Sequence, residues 1–161
     1  MSAMLARLFP TTITNHFPGQ KIALWLFIPL TAVTLWRSQH HIFAADGGAQ
    51  SIATIPLDSY SEAGANTVIT IFAFWGLSQL LIGLIGLIAL IRYRALIPML
   101  YLLFILEYAV RIGIAHFKPI ELSGTAPGGV INIPFVLVGS ILLILSLIPP
   151  RGSGSGSSDA P

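Results

Sequence analysis

Residues 76–117 read GLSQLLIGLIGLIALIRYRALIPMLYLLFILEYAVRIGIAHF, two apolar runs separated only by Arg92-Tyr93-Arg94. A helix rises about 1.5 Å per residue and the hydrocarbon core of a bilayer is about 30 Å thick, so each run belongs to a helix able to cross it. So short a turn leaves no room for a crossover, and the two helices are expected to be tightly packed antiparallel neighbours. The second run carries Glu107 and Arg111, one helical turn apart. A charged side chain at the bilayer centre costs about 2.5–3.5 kcal/mol on insertion scales, so such residues face a bundle interior, a partner or a water-filled cavity.

Composition agrees with a membrane chain. Of 161 residues 55% are hydrophobic and only 9% charged, with a mean hydropathy of +0.84; a soluble domain carries roughly a quarter charged residues. Cysteine is absent, which removes disulfides, thiolate metal sites and cysteine nucleophiles together. The net charge of +2, with no basic run, argues against nucleic acid as a partner.

Upstream of the quoted stretch, the second span reaches back to 66–91. On a helical projection Gly76, Gln79, Gly83 and Gly86 share one face, the small-residue surface on which membrane helices approach closely, although such glycines also serve packing alone. Ser59 or Ser61 followed by Glu62 makes a suitable helix start. Residues 38–65 form a long polar connection containing His40, His41, Asp46 and Gly47-Gly48. The first span, 21–37, reads KIALWLFIPLTAVTLWR; Pro29 removes the hydrogen bond to the carbonyl of Trp25, and Thr31 and Thr34 are placed to satisfy the local backbone. A cleaved signal peptide is the alternative, but Phe43-Ala44-Ala45 supplies only part of a small-residue cleavage pattern, so a retained helix is the preferred reading. Residues 1–20 read either as an interfacial helix or as an unstructured start.

Downstream, the third span covers 95–116 and stops at Pro119. The loop KPIELSGTAPGG leads into a fourth span, 130–148, with Pro134 in its first turn, and the Gly/Ser tail 151–161 carries no fold. The expected fold is all-α: an integral membrane four-helix bundle spanning 21–37, 66–91, 95–116 and 130–148. With a cytoplasmic amino terminus, Arg7, Lys21, Arg92, Arg94 and Arg151 lie inside and only Arg37 and Lys118 outside. This bias places both termini in the cytoplasm, with a long first extracytoplasmic loop.

Leu100, Phe104, Glu107, Arg111 and Ile114 share one face of the third helix. With Gln79 and Tyr108 they make the candidate polar centre. Glutamate four residues before arginine suits an intrahelical pair, which either anchors the helix or releases one charge to a lipid headgroup, a quinone or a proton. His40, His41 and His116, with Asp46, fall on the same outer side and form a weaker candidate metal set. A continuous helix turns His116 about 180° from Glu107. The chain holds no P-loop, GxGxxG, HExxH or GxSxG motif.

With GLSQLLIGLIGLIALIRYR and Arg111 in view, residues 66–148 resemble the small bacterial four-helix membrane proteins of the DoxX-like kind. The resemblance implies an accessory role beside membrane electron transfer or a quinone-linked reaction and carries over no catalytic residue. The first functional expectation is a non-catalytic subunit or accessory factor of a larger membrane assembly, or a homo-oligomer, surrounded by membrane lipid. The alternative is a membrane enzyme, or a binder of lipid or quinone, with an outward-facing pocket around Glu107 and Arg111. A proton or ion pathway is weaker, because one helix supplies the charge.

Overall fold

The computed structural model describes residues 3–150; the tail expected over 151–161 lies outside them. Five helices follow in order: α1 (Ala3–Leu8), α2 (Lys21–Phe43), α3 (Glu62–Arg92), α4 (Ile97–Phe117) and α5 (Pro127–Leu147). Short 3-10 turns cover Leu57–Ser59 and Arg94–Leu96, and no strand occurs among the described residues. Three segments are long and apolar enough to cross a membrane: α3, Arg94–Phe117 and α5. The chain is therefore an integral membrane protein. α2 has the length, but Arg37 and the polar residues 38–41 dilute its apolar stretch.

Each helix starts and stops for local reasons. Ser61 caps α3, its Oγ accepting from the Gly64 amide at 3.2 Å, and Glu62 lies in the first turn, where the helix dipole favours an acid. α2 runs six residues beyond the expected boundary because nothing between Arg37 and Phe43 breaks a helix; the chain turns only around Gly47 (φ 59°) and Gly48 (φ 77°). His40 and His41 therefore occupy the last turn of α2 and do not begin the loop. Thr31 and Thr34 donate to the carbonyls of Phe27 and Leu30, both at 2.9 Å, rather than to that of Trp25. α5 starts at Pro127, whose fixed φ suits a first turn, so Pro134 lies inside the helix and not in its first turn.

The small face of α3 is buried as the glycine spacing predicts, but against α2. A Cβ at Gly76 would stand 2.7 Å from the His41 Cβ and 3.1 Å from the Ser38 carbonyl oxygen, and one at Gly83 would stand 2.7 Å from Leu35. The expectation that α3 and α4 pack closely along their length is thus corrected. The tight turn joins them, yet α4 packs mainly on α5, where Gly139 faces Ile105, and α2 bridges α3 to α5. The space left by each glycine is taken by α2, with His41 against Gly76, Leu35 against Gly83 and Thr31 against Gly86, and this lets the two helices approach closely.

Two ends result. At one, Ala23 and Phe27 of α2, Ala89 of α3, Ile97, Leu100, Tyr101 and Phe104 of α4 and Leu142 of α5 form an apolar core. The Tyr101 hydroxyl donates to the Ala23 carbonyl at 2.7 Å, and its ring stands edge-on to Phe27 at 5.1 Å. The amino-terminal segment is docked here rather than unstructured: Arg7 Nη1 donates to the Leu147 carbonyl at 2.7 Å and Gln20 N to that of Leu145 at 2.9 Å. At the other end, loop 44–61 buries Ala49, Ile55 and Leu57 against the start of α3 and joins the α4–α5 loop through Thr54 and Ser123.

This packing predicts an asymmetry among glycine substitutions. Gly76→Ala should destabilise by about 1–3 kcal/mol, because its Cβ overpacks the α2 seam. Gly113→Ala, with nothing within 4 Å of its Cβ, should be neutral or stabilising by about 0.5–1 kcal/mol. Thermal unfolding in detergent measures both; equal effects would contradict the seam.

Candidate functional site

The polar centre lies toward the loop 44–61 end and draws on all four long helices. From α2, Arg37 Nη1 donates to the Tyr108 hydroxyl of α4 at 2.7 Å. From α3, the Trp75 ring lies 5.7 Å from the Arg37 guanidinium and 4.8 Å from that of Arg111. Arg111 also lies 4.7 Å from the centre of the Tyr108 ring. From α5, Phe135 stacks on the other aromatic partner, Tyr108, with ring centres 3.8 Å apart and planes 16° apart. Guanidinium groups over aromatic faces are held by the ring quadrupole, for about 0.5–2 kcal/mol each according to how dry the site is.

Glu107 and Arg111 form the intrahelical ion pair that their spacing predicts, and it is the only salt bridge among the described residues. Their side chains are 31% and 25% exposed. Arg37 has no carboxylate partner among the described residues. The cluster therefore holds two guanidinium groups and one carboxylate. Gln79, also expected here, is 5% exposed, and its side-chain oxygen has no hydrogen-bond partner.

Two spaces adjoin the cluster. A void of ≈ 10 Å³ between α2, α3 and α4 is lined by Thr34, Arg37, Gln79, Glu107 and Tyr108. That is about the smallest space that accepts one water molecule. A groove of ≈ 650 Å³ opens between α3 and α4, with Ile82 and Ile85 on one wall and Leu103 and Leu106 on the other, and Trp75, Glu107 and Arg111 among its lining. Ile82, Phe104 and Glu107 line both spaces. Its volume lies within the range of about 300–1,000 Å³ typical of ligand sites, and its apolar walls with a few polar groups are the usual make-up of one.

The four residues considered for a metal are not brought together. His41 is buried, its Nδ1 2.7 Å from the Gly47 carbonyl oxygen and its ring 4.6 Å from that of Trp75. His40 stacks on Trp36, and His116 is exposed on the last turn of α4. Asp46 organises its own loop, accepting from the amides of Gly48, Gln50 and Ser51 at 2.9, 3.2 and 2.6 Å. No group of three or more His, Asp or Glu residues suited to a metal occurs among the described residues.

Arg37 and Trp75 are the functional candidates that the sequence pattern missed. Arg37 reads as a boundary residue only if the helix stops there; the unbroken residues 38–43 were the signal that it continues. Trp75 precedes Gln79 by one helical turn and so shares its face. The chain matches no known family model, no curated protein and no solved structure.

Asp46 gives the loop a defined pH response. Burial acts to raise its pKa, but the hydrogen bonds from Ser51 and Gly48 outweigh it and hold the carboxyl at about 2, below its usual 3.8. The carboxylate's stabilisation is fully present above the usual value and is lost as pH falls through the folded one. Amide exchange at Gly48, Gln50 and Ser51, corrected for intrinsic rates, should therefore accelerate as pH drops from about 4 to about 2. The acceleration should be absent in Asp46→Asn; no change in the unaltered protein would contradict the assignment.

Proposed function

We propose that this protein is a non-catalytic, accessory integral membrane protein that holds an amphiphile, a lipid or a quinone, in the groove between α3 and α4. The observation carrying this reading is the pairing of that long apolar groove with a polar end formed by Glu107, Arg111 and Trp75. An amphiphile has the same division, a tail for the leucine and isoleucine walls and a head for the charged end. The same reading takes α2 as a fourth span beside the three apolar ones, with both termini cytoplasmic. The basic-residue bias supports it, as does the docking of Arg7 and Gln20 beside the end of α5. The membrane is then of the bacterial inner type, and the likeness to DoxX-like proteins is consistent with service beside electron-transfer or quinone chemistry.

Catalysis is not favoured. No nucleophile paired with a base stands in the cluster, and its one carboxylate is engaged by Arg111. A second reading rests on the exposure of the ion pair: a helix from another subunit laid over the groove would cover Glu107 and Arg111 instead.

Native mass spectrometry after extraction in a mild detergent separates the two. The unaltered chain should retain one amphiphile, and Leu106→Trp, which fills the groove without touching a charge, should lose it while keeping its helicity. Retention of a stoichiometric partner chain with no amphiphile would support the subunit reading and overturn the first.

A further inference from the structure

We propose that the head bound at the polar end of the α3–α4 groove is an anionic phosphodiester, and that the occupant is an acidic phospholipid. The inference rests on the amphiphile reading and names the chemistry of its ligand.

Charge is the first support. Two guanidinium groups, Arg37 and Arg111, and a single carboxylate, Glu107, leave one positive charge unbalanced among the described residues of the cluster. Arg37 lines the small void and not the groove, but it shares the Trp75 ring with Arg111, and in a low-dielectric setting the net positive charge of the cluster favours a monoanion at the groove's polar end. A neutral quinone does not balance that charge, and neither does a zwitterionic head.

Hydrogen-bond capacity is the second and independent support. A guanidinium has five N–H donors. Among the described residues Arg111 uses Nη2 toward Glu107 and Arg37 uses Nη1 toward Tyr108, and no other hydrogen bond engages either group. At the groove itself Arg111 keeps N–H donors beyond the one given to Glu107, and these suit a phosphate's unesterified oxygens. Arginine's planar fork suits such oxygens better than a carbonyl.

The Gln79 side-chain oxygen, buried and unpartnered, lines the small void and not the groove, and a space of ≈ 10 Å³ admits a water molecule but no part of a lipid head. The acyl chain then lies along Ile85, Leu103 and Leu106, and Trp75 closes the polar end as aromatic residues do near lipid heads.

Reconstitution into nanodiscs containing equal phosphatidylglycerol and phosphatidylcholine, with a neutral quinone present, tests this through the lipid that the ejected protein retains. The unaltered chain should keep phosphatidylglycerol over phosphatidylcholine by about fivefold, the preference that one basic residue confers near an anionic head. Arg111→Gln should bring the ratio close to parity, whereas Arg111→Lys should preserve most of it. If Arg111→Gln does not fold, the competition in the unaltered chain decides alone. Parity there overturns the proposal. Retention of the quinone in place of either lipid also overturns it while leaving the amphiphile reading intact. A second protein chain over the groove with no lipid retained overturns both.

Discussion

A guanidinium carried on a helix that packs against other helices must be housed by those helices, and the housing of Arg37 determines how the polar end of this protein is assembled. Its hydrogen bond to Tyr108 ties α2 to α4, and its position beside Trp75 ties both to α3. Tyr108 in turn stacks on Phe135 of α5, and Trp75 carries Arg111 on its ring and His41 beside it. Each contact is individually small, but they share partners, so the loss of one unsettles the next. Four helices that touch unevenly elsewhere meet around three aromatic rings, Trp75, Tyr108 and Phe135, and two cations.

The apolar half of the molecule and the groove follow from one allocation of surface. α3 has one face of small residues, and that face lies on α2, whose Thr31, Leu35 and His41 fit against the glycines. What α3 then turns toward α4 is bulky, Ile82 and Ile85 opposite Leu103 and Leu106. Bulky faces joined at one end by a tight turn part along their length, and the gap is the groove. The feature proposed to bind a ligand is thus a consequence of which pair of helices received the glycines. At the far end the core around Phe27 and Tyr101 fixes the base of all four helices, so the opening does not spread to the turn.

Much of this was legible in the residues. The all-helical, membrane-spanning character followed from composition and run length, the buried face of α3 from the spacing of Gly76, Gln79, Gly83 and Gly86, and the Ser61 cap from its residue type. The Glu107–Arg111 pair was legible because both members lie on one helix, where 3.6 residues per turn dictates contact. What was not legible depended on which helix faces which. A periodic pattern identifies a face but not its partner, so the glycine face was legible while the helix it packs on, α2, was not. Arg37 was hidden by the convention that a basic residue after an apolar run marks a membrane edge. The histidines shared a side of the membrane in the sequence reading, yet helix α2 turns His41 inward to Gly47 and Trp75 while His116 points to the surface.

The central claim is that Arg37 and Tyr108 act on each other across α2 and α4. A double-mutant cycle tests it most directly, with Arg37→Gln and Tyr108→Phe made singly and together and stability measured by reversible unfolding in detergent. The hydrogen bond between a charged donor and a buried phenol predicts a coupling energy of about 1.5–3 kcal/mol, the double variant losing less than the sum of the singles. Strictly additive losses would mean that the two side chains do not meet, and the polar end would have to be assembled in some other way.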